Sequence, residues 1–226
     1  MVPCYNEEAS LKQTIENLKS VVPGMDFIII NDGSKNKTLQ ICKENNYPVI
    51  NMPFNMGLTR AVQTGMRYAY INRYDLALQF DGDGQHLAEY IKIMIEAIEK
   101  NSADIVVGSR FTSNSFKNLR QIGGHFLKVA IKLVTGKKIS DPTSGMRLYN
   151  RKIIKKLAFQ MNYGPEPDTL VYLIKQGVKV IEVPVLMRER IAGKSYLTSL
   201  TAINYMLRMF VSIIFVHWIR EKEDWD

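Results

Sequence analysis

Residues 75–86 read DLALQFDGDGQH. The run DLALQF is too short for a helix and is bounded by Gly and Asp, so it reads as a strand buried on both faces. It stops without transition at Asp81 and Asp83, two aspartates one glycine apart. Carboxylates that close repel each other unless a cation lies between them. The turn is therefore either a solvated strand end or an oxygen-lined cation site, with Mg²⁺ or Mn²⁺ as the ions whose open positions suit a diphosphate. Gln85, two residues on, could add a further oxygen.

Outward from this turn the chain alternates strand and helix signals. Leu11, Ile15, Leu18 and Val22 recur at helical spacing over 10–22, with Ser10 as the expected N-cap. DFIIIND (26–32), YPVINMP (47–53) and ADIVVGS (103–109) read as strands; helices are expected after NDGS, over 55–72 and over 87–100. Apolar strands separated by amphipathic helices imply an α/β fold with a mostly parallel sheet covered on both sides. Ligands of such sheets gather at the carboxyl ends of the strands, where NDGS and DGDGQ fall.

Further on, DPTSGMRLYNRKIIKKLAF (141–159) reads as loop, strand and helix, and VKVIEVPVLMRER (178–190) as a strand that Pro184 breaks. HFLKVAIKLVTGKK (125–138) is amphipathic and basic through Lys128, Lys132, Lys137 and Lys138. The segment 199–225 is a strongly apolar helix with a charged exit. Its densest part, Met209 to Ile219, is shorter than the roughly 20 residues needed to cross a bilayer, so an interfacial or partner-docking helix is expected. The division that follows is a catalytic domain over 1–197 and a C-terminal membrane- or partner-associated helix over 198–226. VPCYNEE, at the very start, has the look of the turn after a strand, and that strand's earlier residues are missing. Either the natural N-terminus is longer or another segment fills the place.

The 226 residues are 46% hydrophobic and 23% charged, with a formal net charge of +8. Such composition provides for a core, and the charge favours phosphate-bearing substrates or anionic lipid. Nucleic acid is not expected, because neither zinc-type Cys/His spacing nor an aromatic RNA-binding strand occurs. Cys4 and Cys42 form no metal or disulfide pattern, which fits a reducing compartment, and no signal peptide is visible.

In order along the chain stand VPCYNEE, NDGSKNKT, NMGLTRAVQTG, QFDGDGQH, GSRF, DPTSGMR, YGPEPD and RERIAGKS. Over residues 2 to about 197 this succession resembles the family 2 glycosyltransferases of the GT-A (Rossmann-like) fold, in particular their dolichol-phosphate mannose synthase-like, polyprenyl-phosphate branch. The resemblance implies inverting transfer of a hexosyl or N-acetylhexosaminyl group from a nucleotide sugar, expected to be UDP-linked. The acceptor would be a polyprenyl phosphate serving cell-envelope glycan synthesis. It further implies that Pro3, Tyr5, Glu7 and Asp32 line the nucleotide pocket. Asp81 and Asp83 would form the metal-binding DxD motif with Gln85 in the metal shell, Asp81 also facing the nucleotide sugar. Arg190 and Ser195 would close over the diphosphate, with Lys194 adding charge. Catalytic parts fall to Asp83 and to Arg110 and Arg120, arginines that match those gripping the acceptor phosphate. An enzyme of this kind would sit peripherally on the cytoplasmic face of the cell membrane, in contact with the membrane surface and with a small membrane protein as a further partner. The alternative is a chain-extending polysaccharide glycosyltransferase acting on a sugar hydroxyl, which would need a carboxylate base; Glu166 and Asp168 stand where such a base is carried. A sugar-nucleotide pyrophosphorylase would require a glycine-rich, arginine-bearing loop near the start, which VPCYNEE is not.

Overall fold

The computed structural model describes residues 1–110, 119–159, 164–190 and 199–219. Within them lie seven strands: β1 (Val2–Cys4), β2 (Ile29–Asn31), β3 (Val49–Asn51), β4 (Leu76–Gln79), β5 (Ile105–Arg110), β6 (Arg147–Asn150) and β7 (Val180–Val185). Eight α-helices accompany them: α1 (Leu11–Val21), α2 (Thr38–Glu44), α3 (Leu58–Ile71), α4 (Ile91–Lys100), α5 (Leu119–Thr135), α6 (Arg151–Phe159), α7 (Pro167–Lys175) and α8 (Ser199–Ile219).

β1, β2 and β3 pair in parallel, and β4, β6, β5 and β7 form the neighbouring ladder in that order. Three hydrogen bonds join the two ladders. The Met1 ammonium donates to Leu78 O (2.8 Å), Phe80 N–H to Met1 O (3.0 Å) and Gly82 N–H to Pro3 O (3.4 Å). The sheet therefore runs β3-β2-β1-β4-β6-β5-β7, with β6 alone antiparallel to its neighbours. The strand looked for ahead of VPCYNEE is formed by the first residues of that motif, Val2–Cys4. At the amino ends of these strands Met1, Phe27, Ile28 and Ala77 line an apolar cavity of about 210 Å³. It lies at the edge of the sheet opposite to the motif-bearing turns.

Alternate residues of the central strands serve opposite faces. Ala77, Ile105, Val107 and Tyr149 pack beneath Met66, Leu127, Ile131, Leu170 and Ile213 of the α3, α5, α7 and α8 layer. Leu78, Phe80, Val106, Leu148, Val183 and Val185 pack against Ile91, Met94 and Ile98 of α4 and Leu18 of α1. This two-sided burial is the reason the strands read as continuous apolar runs.

One local expectation is corrected and another is met in position only. Pro184 does not break its strand: it lies inside β7, in register with Ser109, and is exposed. β7 is the edge strand, where a missing N–H forfeits no ladder bond. Ser10 occupies the N-cap position of α1 but makes no capping bond there; its hydroxyl is turned towards the DGDG turn. The apolar helix α8 is part of the folded body. It packs on α5 and α7, with Met209 and Ile213 buried in their core. No helix among the described residues is long and apolar enough to cross a membrane.

Candidate active site

The parallel strands β1, β2, β4 and β5 end at one edge of the sheet, and antiparallel β6 begins there. That edge therefore collects the turns after Cys4, Asn31, Gln79 and Arg110 and the DPTSG loop before Arg147.

The first two turns are clamped together. Asn6, at φ 59°, receives a hydrogen bond on Oδ1 from Lys35 N–H (2.9 Å) and donates its own N–H to Ser34 Oγ (2.9 Å). Asp32 is 3% exposed, and its two oxygens accept the N–H groups of Met56 and Gly57 at 2.7 and 2.9 Å. The carboxylate thus fastens the β3–α3 loop rather than pointing free into the pocket. Gly33 (φ +63°) completes the turn, and a Cβ there would lie 2.4 Å from the Phe54 carbonyl carbon. Pro3 is buried within β1, while Tyr5, directly after it, is 41% exposed.

In the DGDGQH turn the two aspartates are held differently. Asp81 Oδ1 accepts from Gln79 Nε2 (3.0 Å), and Asp81 N–H donates to His86 Nδ1 (2.9 Å). Because Nδ1 is an acceptor, the proton of neutral His86 is on Nε2, 3.7 Å from Asp81 Oδ2. His86 is itself wedged edge-on against Phe80. Asp83 turns inward. Its Oδ1 accepts Gln85 N–H (3.0 Å), and its Oδ2 lies 2.9 Å from Arg190 Nη2. Gly84 takes the positive φ (+79°) that this reversal needs.

Arg190 reaches the turn because the segment after β7 is tied to it. Arg188 N–H donates to Gln85 O (2.9 Å), and Met187 bridges to His86. The second guanidinium nitrogen of Arg190 lies 3.8 Å from Glu7 Oε1. Glu7 Oε2 and Gly82 O are each 2.9 Å from Ser10 Oγ. Burial pushes the Glu7 carboxyl above the usual range, against the pull of Ser10 and Arg190. Glu7, Asp83 and Arg190, far apart in sequence, thus form one cluster.

Across the edge, Arg110 is gripped by Asp141. Its Nε and Nη2 lie 2.5 and 2.7 Å from the two carboxylate oxygens, and Nη2 also reaches Thr143 Oγ1 at 2.7 Å. Burial alone would raise the Asp141 pKa, but the Arg110 fork holds it below the ordinary carboxylate range. Arg147, 2% exposed, donates to Ser144 O and Pro142 O at 2.9 and 2.7 Å and so shapes the DPTSG loop from within. That loop touches the aspartate turn at Gly145, where a Cβ would sit 2.9 Å from Asp81 Oδ2 and 3.3 Å from Gln79 Nε2. Gly145→Ala is expected to displace the Asp81 carboxylate and lower kcat/KM by roughly 10-fold or more, since small misplacements of reacting groups are costly. Steady-state kinetics beside a thermal melt checks this.

Of the other expected residues, Gln85 contributes its backbone to Asp83, and its side-chain Nε2 lies 3.5 Å from Arg188 O. Glu166 accepts from Tyr205 Oη, and Asp168 Oδ2 from Ser212 Oγ (2.7 Å), so both carboxylates face α8. Arg120 falls on the backbone of α5, its side chain outside the described residues. Lys194 and Ser195 lie outside them altogether. Sequence reasoning assigned no part to Asn6, Gln79, Asp141, Gly145 or Arg147 and left His86 uncommitted. The motifs VPCYNEE, QFDGDGQH and DPTSGMR contain all five of the former, as positions to which no role was given.

The sequence model described as Glycosyl transferase family 2 matches residues 1–158. The chain is 32% identical over 209 residues to the UDP-N-acetylglucosamine--dolichyl-phosphate N-acetylglucosaminyltransferase of Methanococcus voltae, covering 82% of this chain and 83% of that protein. It is 26% identical over 208 residues to the undecaprenyl-phosphate mannosyltransferase of Micrococcus luteus, covering 86% and 85%. Among solved structures it resembles the glucosyl-3-phosphoglycerate synthase of Mycobacterium tuberculosis bound to Mn²⁺, UDP-glucose and phosphoglyceric acid. The TM-score is 0.71 at 16% identity, over 97% of this chain and 79% of that one. With the GT-A sheet, the DxD turn at its carboxyl edge and a family match over most of its length, the chain belongs to glycosyl transferase family 2.

Proposed function

We propose that this glycosyltransferase moves a sugar from a UDP-linked donor to a polyprenyl phosphate at a membrane surface. The names of its relatives support the acceptor class, since they specify dolichyl phosphate, undecaprenyl phosphate or a polyprenol monophosphate product. The Methanococcus voltae relative, named for a UDP-sugar donor, supports the nucleotide.

The observation that carries a phosphate acceptor over a sugar hydroxyl is the state of the two candidate bases. A hydroxyl nucleophile must lose its proton to a positioned carboxylate, whereas a phosphate is already an anion. Glu166 and Asp168 are occupied by hydroxyls of Tyr205 and Ser212 on the helix side. The residue offered to an anion instead is Arg110, whose side chain is 41% exposed at the end of β5 and held in place by Asp141. Arg120 is proposed as the second cation at the acceptor phosphate.

A divalent ion fits the aspartate turn. The donors are oxygens, the Asp83 side chain is nearly buried (6% exposed), and it already carries a cation in the form of Arg190. Asp81 and Asp83, with Gln85, would hold Mg²⁺ or Mn²⁺, and diphosphate oxygens and water would complete its shell. Among the described residues no three His, Cys, Asp or Glu side chains converge on one point. When bound, the ion would supply charge to offset that of the leaving diphosphate. The protein's own contributions are separable. Gln79 and His86 orient Asp81, the clamped turns at Asn6 and Asp32 shape the nucleotide pocket beside Tyr5, and Arg110 presents the acceptor oxygen to the sugar.

Membrane contact is proposed through α5 and α8. Phe126, Val129 and Leu133 on α5, and Leu207, Val211 and Phe215 on α8, are exposed at one-face helical spacing. Lys128, Lys132, Lys137 and Lys138 add positive charge for anionic headgroups. In this reading α8 lies along the membrane surface and does not span it.

The test is to incubate purified protein and membranes with a panel of radiolabelled nucleotide sugars and extract with organic solvent. Label in a mild-acid-labile lipid, greatest from a UDP-sugar, is the expected result. Label confined to a water-soluble or polymeric glycan would overturn the acceptor assignment in favour of chain extension.

A further inference from the structure

We propose that Arg190 is the cation of the Asp83 carboxylate before the donor arrives, so that a divalent ion and Arg190 compete for one oxygen. The inference rests on the metal reading of the DGDG turn and adds a competitor to it. Asp83 has two oxygens. Oδ1 is engaged by Gln85 N–H at 3.0 Å, and Oδ2 by Arg190 Nη2 at 2.9 Å. Each oxygen keeps a second lone pair, but a divalent ion and a guanidinium on the same oxygen repel each other, so an ion ligated by Oδ2 competes with Arg190. Gln85 N–H is uncharged and belongs to the backbone of the turn, so it is not the partner that a cation drives off. Arg190 sits on a long side chain, 33% exposed, and can be displaced.

The rest of the cluster favours exchange over permanent pairing. Glu7 Oε1 is 3.8 Å from the same guanidinium, and the Ser10 hydroxyl fixes the other Glu7 oxygen. Glu7 thus offers a second anchor close to the Asp83 position, so that Arg190 can shift without losing all its partners. A released guanidinium also carries the planar fork that suits phosphate oxygens. Metal entry at Asp83 and presentation of Arg190 to a diphosphate are in this way two consequences of one displacement. Without nucleotide, the apparent affinity for the ion is reduced by the fraction of molecules in which Arg190 holds the site.

The experiment titrates Mn²⁺ alone into the full chain, with no nucleotide, and follows free Mn²⁺ by electron paramagnetic resonance. Arg190→Met is expected to bind Mn²⁺ about tenfold more tightly than the wild type, the scale of a charge-assisted hydrogen bond removed from competition. In saturating Mn²⁺ the same variant should bind UDP about tenfold more weakly, because the displaced fork is gone. Arg188→Met separates competition from bulk charge: it removes an equal charge from an exposed position two residues away. Its Mn²⁺ affinity should rise less than twofold, as befits screened surface charge. Equal Mn²⁺ affinity in wild type and Arg190→Met, or an equal gain in both methionine variants, would overturn the competition while leaving the metal site standing. If neither wild type nor Arg190→Met binds Mn²⁺ with any dependence on Asp83, tested as Asp83→Asn, the metal reading fails and the competition with it.

Discussion

Asp83→Ala is expected to lower kcat/KM for sugar transfer by about 10³-fold while leaving the fold in place. The size follows from what the side chain is asked to do: offset charge that develops on a diphosphate leaving group inside a largely dry turn, where removal of one such group costs about this much. Retention of the fold follows from the neighbours. The turn is built by Gly84 at φ +79°, by the Arg188 N–H bond to Gln85 O and by the His86 bridge to Met187, and none of these uses the Asp83 carboxylate. Arg190 would keep Glu7. Far-UV circular dichroism and a thermal melt should therefore resemble the wild type, and transfer assays across a Mg²⁺ and Mn²⁺ series should show no rescue. Full activity in the folded variant would sink the metal assignment. A loss of activity accompanied by unfolding is excluded as an explanation by Asp83→Asn, which keeps size and an acceptor oxygen for Gln85 N–H and should lose activity nearly as far.

How much of this site could be read from residues alone depends on distance along the chain. The strand ending at Phe80 and the turn that follows are local facts, set by an apolar run and by Gly82 and Gly84, and the sequence displays them directly. The sheet that collects NDGS and DGDGQ at one edge follows from the alternation of strands and helices, because parallel strands covered on both faces must all end on the same side. Pairings between distant loops are another matter. Nothing in RERIAGKS says that Arg190 meets Asp83 rather than a substrate, and nothing in NDGS says that Asp32 spends both oxygens on Met56 and Gly57. The same limit hid Asp141. It sits in a loop whose shape is imposed by buried Arg147, and its partner Arg110 is 31 residues away. Ser10 is instructive for the opposite reason. Local rules have its oxygen accept a backbone N–H of α1, but the side chain is turned away and its hydroxyl proton faces Gly82 O, far along the chain, and the nearby Glu7 carboxylate.

The acceptor decides between the two chemistries, and Arg110 and Glu166 are expected to respond in opposite ways. Arg110→Met should cost about 10²-fold in kcat/KM for a polyprenyl phosphate, mostly through KM, as charge-assisted bonds to a phosphate are lost. The variant also strands Asp141, so a second change is needed to assign the loss. Asp141→Asn keeps the Arg110 charge and slackens only the fork, and a fall of about tenfold is expected from poorer positioning. Glu166→Gln retains an oxygen to accept the Tyr205 hydroxyl but cannot take a proton at neutral pH. With an anionic acceptor no proton needs to be taken, so activity should stay within about threefold of wild type. If a sugar hydroxyl is the true nucleophile, the pattern inverts: Glu166→Gln or Asp168→Asn would collapse the rate, and Arg110→Met would be nearly silent. The two outcomes differ because a phosphate brings its own negative charge to the reaction, whereas a hydroxyl has to be given one.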